Sequence, residues 1–288
     1  MTADRAVDFC GLRLEHPIVN GSGTFDALAA RRAFGPGFDA VFPFAAYISK
    51  TITAAPRAGN PPPRLYEVPA GLINSIGLPN KGLEGYLADD LPALATLPAP
   101  LITNVMGNSA DEVAPLVVAL DARPEVAALE LNVSCPNVKT GLDIGADAGE
   151  LGRFVAALRP LTAKPLIVKL TPNAADVPGI AQAAEAAGAD AVSLLNTLRA
   201  FAPHPAGGGR AWLGGGTGGM SGPALRAVAL AQVRAVAERV AIPIVGMGGV
   251  ASGNHARQFL DAGATLVGVG TESFRDPLAG ARIRAELG

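Results

Sequence analysis

The chain has few cysteines, few histidines and little charge, and it lacks any long apolar run. Two cysteines, Cys10 and Cys135, in 288 residues cannot build a disulfide framework. Neither they nor His16, His204 and His255 show metal-ligand spacing, so both thiols read as free and no metal is expected. Gly, Pro or a charge breaks every apolar segment well before the ~18 residues that a membrane helix needs. No Lys/Arg block is present, and 23 Lys+Arg against 25 Asp+Glu give a net charge of -2, so nucleic acid is not an expected partner. The first residues carry Asp4, Arg5 and Asp8 instead of the apolar stretch of a signal peptide, from which a cytoplasmic location is expected. A P-loop is missing, as is a dinucleotide GxGxxG after a first strand. With 49% hydrophobic and 17% charged residues, what is left is a soluble globule with a substantial core.

Glycine and proline are plentiful, 35 and 24, and fall at the ends of apolar segments as punctuation between elements. Short β-rich runs at 17–20, 47–50, 101–105, 128–133, 166–170, 191–195, 243–247 and 265–269 alternate with helical segments. Nearly continuous apolar runs suit strands buried on both faces. Eight such repeats close a barrel more naturally than an open sheet, so the expected fold is α/β: a parallel eight-stranded (β/α)8 TIM barrel with an N-terminal leader and active-site loop insertions. No linker-like shift divides the chain, which reads as one domain over 1–288. The best helix spans 224–240, with Leu225, Val228, Ala229, Val233, Val236 and Val240 on one face. Residues 201–216 are long for a barrel loop and read as a lid or mobile insertion.

In such a barrel the chemistry sits where strands end, so the polar residues closing the apolar runs are informative. They are Asn20 and Ser22, Lys50 and Thr51, Asn104, residues 132–137, Lys169, and Asn196 with Thr197. Amides converging on one mouth suit a flat heterocycle with alternating N–H and C=O edges, and lysines suit an anion or an electron-rich ring. Lys169, ending an apolar run, needs a partner. The last two strands end in glycines, Gly246, Gly248 and Gly249, then Gly268, Gly270 and Thr271, where such barrels hold phosphate on backbone N–H groups. The expected cofactor carries one phosphate. Cys135, just beyond the fourth strand, is placed to act as a general base, whereas Cys10 reads as buried and inert. His16 reads as structural in the barrel floor, His255 as an exposed helix residue, and His204 as a residue of the lid whose role stays open.

The strings Asn20-Gly21-Ser22-Gly23, Ser49-Lys50-Thr51, Gly59-Asn60-Pro61, Asn74-Ser75-Ile76-Gly77-Leu78-Pro79-Asn80, Asn132-Val133-Ser134-Cys135-Pro136-Asn137, Val168-Lys169-Leu170-Thr171-Pro172-Asn173, Gly218-Gly219-Met220-Ser221-Gly222-Pro223 and Gly246-Met247-Gly248-Gly249-Val250 resemble the class 1 dihydroorotate dehydrogenases. The resemblance runs from about residue 7 to residue 277. Cysteine at 135, where class 2 enzymes have serine, points to class 1, and Asn137-Val138-Lys139 looks more like the NAD-linked class 1B than the fumarate-linked class 1A.

The resemblance implies an FMN enzyme that oxidises dihydroorotate to orotate in pyrimidine synthesis. Carried over by position, Cys135 removes the C5 proton while hydride leaves C6 for flavin N5. Lys50, Asn74, Ser75, Ile76, Gly77, Leu78, Asn132, Asn196 and Thr197 hold substrate. Ser22, Lys50, Thr51, Asn104, Asn132, Leu195, Gly222, Gly248, Gly249, Gly270 and Thr271 contact FMN, and Lys169 stabilises negative charge on the reduced flavin. It further implies a homodimer, or a heterotetramer with a separate subunit carrying FAD and an iron-sulfur cluster, for which this chain has no cysteine set. Two stretches depart from the family: Leu198-Arg199-Ala200-Phe201-Ala202-Pro203-His204, where Leu-Arg-Gly-Met is usual, and Gly141-Leu142, where a double glycine is common. Three alternatives stand beside this reading: an FMN enzyme for another dihydropyrimidine such as dihydrouracil, a Schiff-base aldolase using Lys169, and a non-enzymatic barrel scaffold.

Overall fold

The computed structural model describes residues 6–133 and 144–288, and the structural statements below concern those residues. The chain opens with an antiparallel hairpin, β1 (Val7–Phe9) and β2 (Leu12–Leu14). There follow β3 (Ile18–Asn20), β4 (Tyr47–Ile48), β5 (Leu65–Val68), β6 (Gly71–Asn74), β7 (Leu101–Val105), β8 (Val126–Asn132), β9 (Leu166–Lys169) and β10 (Ala191–Leu194). The last four strands are β11 (Leu198–Phe201), β12 (Thr217–Ser221), β13 (Ile244–Met247) and β14 (Leu266–Val269). An eight-stranded sheet runs β3-β14-β13-β10-β9-β8-β7-β4, parallel throughout, with helices between successive strands: the TIM barrel expected from the eight apolar runs.

Strand periodicity of two explains the core. On β9, Leu166 and Val168 pack outward under the helices, while Ile167 joins the inner cluster with Val19, Ile48, Ile102, Ala128, Ala191, Val245 and Leu266. Phe9 and Leu14 of the N-terminal hairpin plug this floor, both essentially unexposed. Two residues further along β7, β8, β9 and β10 the same face turns polar, at Asn104, Glu130, Lys169 and Ser193. Helices start at side-chain caps that absorb their free N–H groups; Asp26, Ser109, Asp147, Asp176 and Ser252 each accept from a backbone N–H three residues on.

Several sequence expectations change. The helix expected over 224–240 is Arg226–Ala237, preceded by a 3₁₀ turn at Pro223–Leu225, and Val228 is 41% exposed instead of facing the core. Residues 202–216 hold no helix or strand, only the isolated bridge between Pro203 and Ala211. They connect β11 to β12, which with β6 and β5 form a four-stranded antiparallel sheet, order β11-β12-β6-β5. His204 belongs to that connection, where its Nδ1 accepts from Ala206 N–H and its ring packs 5.5 Å from Trp212.

Cys10 sits in the β1–β2 turn, where its thiol donates to the Asp190 carbonyl; burial, then Asp190 and Asp8, push the thiol up to about 12. It stays an unreactive thiol. His16 is 4% exposed, accepts from Ile18 N–H, and burial followed by the charge of Arg284 lowers it to about 4 from 6.5. Because the folded state refuses a proton that the unfolded chain accepts, stability is complete above pH 6.5 and falls as pH drops toward about 4, by about 3 kcal/mol. Melting curves across that window should show the decline, and His16→Gln should flatten it; an unchanged slope would assign the loss to other groups.

Candidate active site

A cavity of about 320 Å³ opens where the barrel strands end, beneath the antiparallel sheet. This is within the range of small-molecule sites. From the β3 and β4 ends come Ser22, Lys50 and Thr51; from β6 and the turn after it, Asn74, Ser75, Ile76, Gly77 and Leu78. From β8, β9 and β10 come Asn132, Lys169, Leu195, Asn196 and Thr197, and from the later loops Gly222, Gly248, Gly249, Gly270 and Thr271. All these sequence candidates therefore lie on one wall system. Cys135 lies outside the described residues.

Two amides expected at the mouth do not line the cavity. Asn20 is fully buried and spans β3 and β4, its Nδ2 donating to the Ile48 carbonyl and its Oδ1 accepting from Ile48 N–H, both at 2.8 Å. Asn104 is also fully buried and does not line the cavity. Its Nδ2 donates to Glu130, whose other oxygen accepts from Ser193 Oγ at 2.6 Å, and its Oδ1 has no partner among the described residues.

The amides that do reach the cavity form a chain. Asn196 Nδ2 donates to Asn132 Oδ1 at 3.3 Å, Asn132 Nδ2 donates to Thr51 Oγ1 at 3.5 Å, and Thr51 meets Ser22 Oγ at 3.4 Å. Ser22 Oγ donates to the Ser49 carbonyl. Opposite, Asn74 Nδ2 donates to the Gly219 carbonyl across the β6–β12 pair. A Cβ on Gly219 would come within 1.9 Å of Thr197 Oγ1, so only glycine leaves Thr197 its place. The turn at 75–78 is folded onto Asn60, which donates to Ser75 Oγ at 3.0 Å and whose backbone N–H donates to the Ile76 carbonyl. Gly77 takes φ +74 there, 2.4 Å from Asn60 N for any added Cβ.

Two cations stand among these neutral groups. Lys169 is 5% exposed, and its ammonium has no hydrogen bond or ion pair among the described residues; neither has that of Lys50. Burial, then the charge of Lys169, lowers Lys50 from its ordinary value. Two like charges, Lys169 buried and Lys50 half-buried, with no counter-ion among the described residues favour an anionic or electron-rich ligand. Lys50 also lies against Gly23, whose Cβ would stand 3.0 Å from its Nζ. At the far end the wall is backbone: Gly222 at φ +107, Gly248 at +140 and Gly249 at +69, with Gly270 opening a 3₁₀ turn whose Thr271 hydroxyl donates to Ser221 Oγ at 2.9 Å. No group of three or more His, Cys, Asp or Glu side chains among the described residues could hold a metal ion.

Sequence reasoning missed the contribution of the antiparallel sheet. Leu65, Leu72, Thr217 and Met220 line the cavity, together with Met247 and the half-exposed Phe274. A second, mostly apolar groove of about 900 Å³ adjoins it through Gly23, Thr24, Lys50 and Phe274, but the amides and glycines do not converge there. No helix among the described residues is long and apolar enough to cross a membrane.

Comparison with known proteins agrees with the motifs. A family model described as dihydroorotate dehydrogenase matches residues 5–288. The chain is 43% identical over 285 residues to the dihydroorotate dehydrogenase B (NAD(+)) catalytic subunit of Geotalea daltonii, covering 99% of this chain and 92% of the relative. It is 44% identical over 284 residues to the protein of the same name from Pelobacter propionicus, covering 98% and 92%. Among solved structures, the Eimeria tenella enzyme in complex with ferulenol superposes with a TM-score of 0.79 at 23% identity, covering 100% of this chain and 85% of that one, a likeness of fold. Motifs, length and fold together place the chain in the dihydroorotate dehydrogenase family, on the class 1B branch of NAD-linked catalytic subunits.

Proposed function

We propose that the chain oxidises (S)-dihydroorotate to orotate in pyrimidine synthesis, with FMN held in the cavity at the barrel mouth. The observation that carries this reading is a pair of ammonium groups, Lys50 and Lys169, without an anionic partner among the described residues, on a wall of amides that ends in three glycine loops. The donor set fits FMN: positive charge for an electron-rich ring system, amide and hydroxyl edges for its polar rim, and close-approach backbone for one phosphate. Ser22, Thr51, Lys169 and Leu195 would hold the ring system, with Gly222, Gly248, Gly249, Gly270 and Thr271 at the phosphate. When bound, the flavin supplies the acceptor for the hydride that leaves C6.

The chain's own residues do the rest. Cys135, as thiolate, takes the C5 proton, so that loss of H⁺ and hydride leaves the C5=C6 double bond of orotate. Asn74, Asn132, Asn196 and Thr197 offer alternating donors and acceptors that fix a pyrimidine ring in its plane, and the main chain of Ser75 to Leu78 closes over it. Lys50 neutralises the carboxylate. The words "catalytic subunit" in the relatives' names support a separate partner subunit, to which the electrons would pass; the family resemblance makes it one carrying FAD and an iron-sulfur cluster, with the chain a homodimer or part of a heterotetramer with that subunit.

The visible spectrum of the purified protein before and after anaerobic dihydroorotate tests the reading. A yellow protein that bleaches supports it. A yellow protein that stays oxidised moves the substrate to another dihydropyrimidine, and a colourless one that FMN does not reconstitute returns the barrel to the aldolase and scaffold readings. Lys50→Ala should weaken orotate binding by roughly tenfold or more, the worth of a charge-assisted contact, while uracil, which lacks the carboxylate, loses less. Equal losses for the two ligands, followed by flavin absorbance, would remove the carboxylate from Lys50.

A further inference from the structure

The glycine loops at the far end of the cavity are joined from behind by a continuous set of polar contacts that never reaches the cavity itself. Its centre is Arg282, on the C-terminal helix Ala279–Leu287. Arg282 Nη1 donates to the carbonyl of Ala251, two residues beyond Gly249, at 3.1 Å. Its Nη2 donates to Glu272 Oε1 at 2.9 Å, in the 3₁₀ turn Thr271–Phe274 that follows Gly270. Nε holds Asp276 at 3.1 Å, just past the same turn, and Nη1 also meets Glu286 Oε1 at 3.1 Å. The other Glu286 oxygen accepts from Gly253 N–H at 2.7 Å, so one helix grips the 251–253 segment by a carbonyl and an N–H together.

The set continues to the third loop. Ala251 N–H donates to His255 Nδ1 at 3.2 Å, and the His255 ring meets Arg226 Nη1 at 2.7 Å. His255 is thus half-buried and engaged, not the exposed residue read from the sequence. Arg226 opens the helix after Gly222, and the Gly222 loop already abuts Gly249, whose Cβ would lie 2.8 Å from the Gly222 carbonyl.

From this geometry we infer that Arg282 is a positioning residue for the phosphate end of the cofactor, fixing the spacing between the Gly248-Gly249 loop and the Gly270-Thr271 turn, with His255 and Arg226 extending the hold to Gly222. A planar guanidinium suits the task because its rigid fork satisfies several acceptors in fixed directions, which a lysine ammonium on a flexible stem cannot do. Backbone N–H groups hold a phosphate by their fixed directions, so where two loops supply them a loosened spacing lowers affinity for the phosphate and leaves the ring contacts intact.

This inference rests on the proposed FMN site, and the test separates the two. The full chain is stripped of flavin, and dissociation constants are measured for FMN and for riboflavin, which lacks the phosphate. Arg282→Met and Arg282→Lys should each weaken FMN by roughly tenfold or more, the size typical of residues that hold a ligand's direct contacts in place, with riboflavin affinity unchanged. Wild-type affinity in Arg282→Lys would make the effect one of charge and overturn the positioning role. Glu272→Ala gives an independent reading. Removing a negative charge near a phosphate strengthens FMN binding if only electrostatics matter, whereas loss of the grip weakens it. Parallel losses of FMN and riboflavin, or none, overturn the inference. A wild-type chain that binds riboflavin as tightly as FMN overturns the phosphate reading of the glycine loops itself.

Discussion

Cys135→Ser is expected to slow reduction of the flavin by dihydroorotate by about 10² to 10⁴-fold at pH 7, the usual worth of a positioned general base. A thiol must ionise before it can take a proton, so the wild-type rate should climb toward the alkaline side. A serine hydroxyl stays protonated throughout that range, and the variant should lose the climb together with the rate. Anaerobic stopped-flow reduction followed at the flavin band measures both. Flavin content and orotate affinity should stay near wild type, because the residues expected to hold those ligands, among them Lys50, Asn132, Lys169 and Asn196, are unchanged in the variant. An unchanged rate, or a rate that falls only in proportion to flavin content, would give the proton to another group.

The strands were legible because burial on both faces writes itself as uninterrupted apolar sequence, and β7, β8 and β9 lie within a residue or two of where those runs placed them. The antiparallel sheet over the cavity was not. Thr217-Gly218-Gly219-Met220-Ser221 has the composition of a turn, and it is a strand only because β6 and β11 lie on either side of it; tertiary pairing decides the matter. Glu130 carried a usable signal, since a carboxylate inside an apolar run must find donors, and it finds Asn104 and Ser193. Arg282 carried none, because nothing local announces which loops a helix-borne arginine will reach from the end of the chain. Polar residues closing apolar runs were a good guide to the cavity wall at Lys50, Asn132, Lys169 and Asn196, and misleading at Asn20.

Asn20 shows why, and its replacement by leucine is expected to cost about 2–6 kcal/mol of stability. The parallel ladder runs unbroken from β3 round to β4, but these two strands do not pair with each other as strands. Across this seam Ala45 N–H donates to the Ile18 carbonyl, and the Asn20 amide then substitutes for a rung, accepting from Ile48 N–H and donating to the Ile48 carbonyl. A side-chain amide has the same donor and acceptor as a peptide group, so it can stand in for a neighbouring strand too short to supply its own. Leucine, branched at the same atom but with nothing to donate or accept, would leave both Ile48 groups buried without partners, each costing about 1–3 kcal/mol. For a chain of this size the melting temperature should fall by roughly 5–20 °C. Lys50 and Thr51 follow Ile48 directly, so ligand affinity should fall along with stability even though Asn20 never touches the cavity. Calorimetry and orotate titration on the same sample separate the two roles that the sequence allows. An Asn20→Leu protein that melts like wild type but no longer binds ligand would return the residue to the barrel mouth; one that melts early places it in the seam, where the barrel needs a hydrogen-bonding side chain to close.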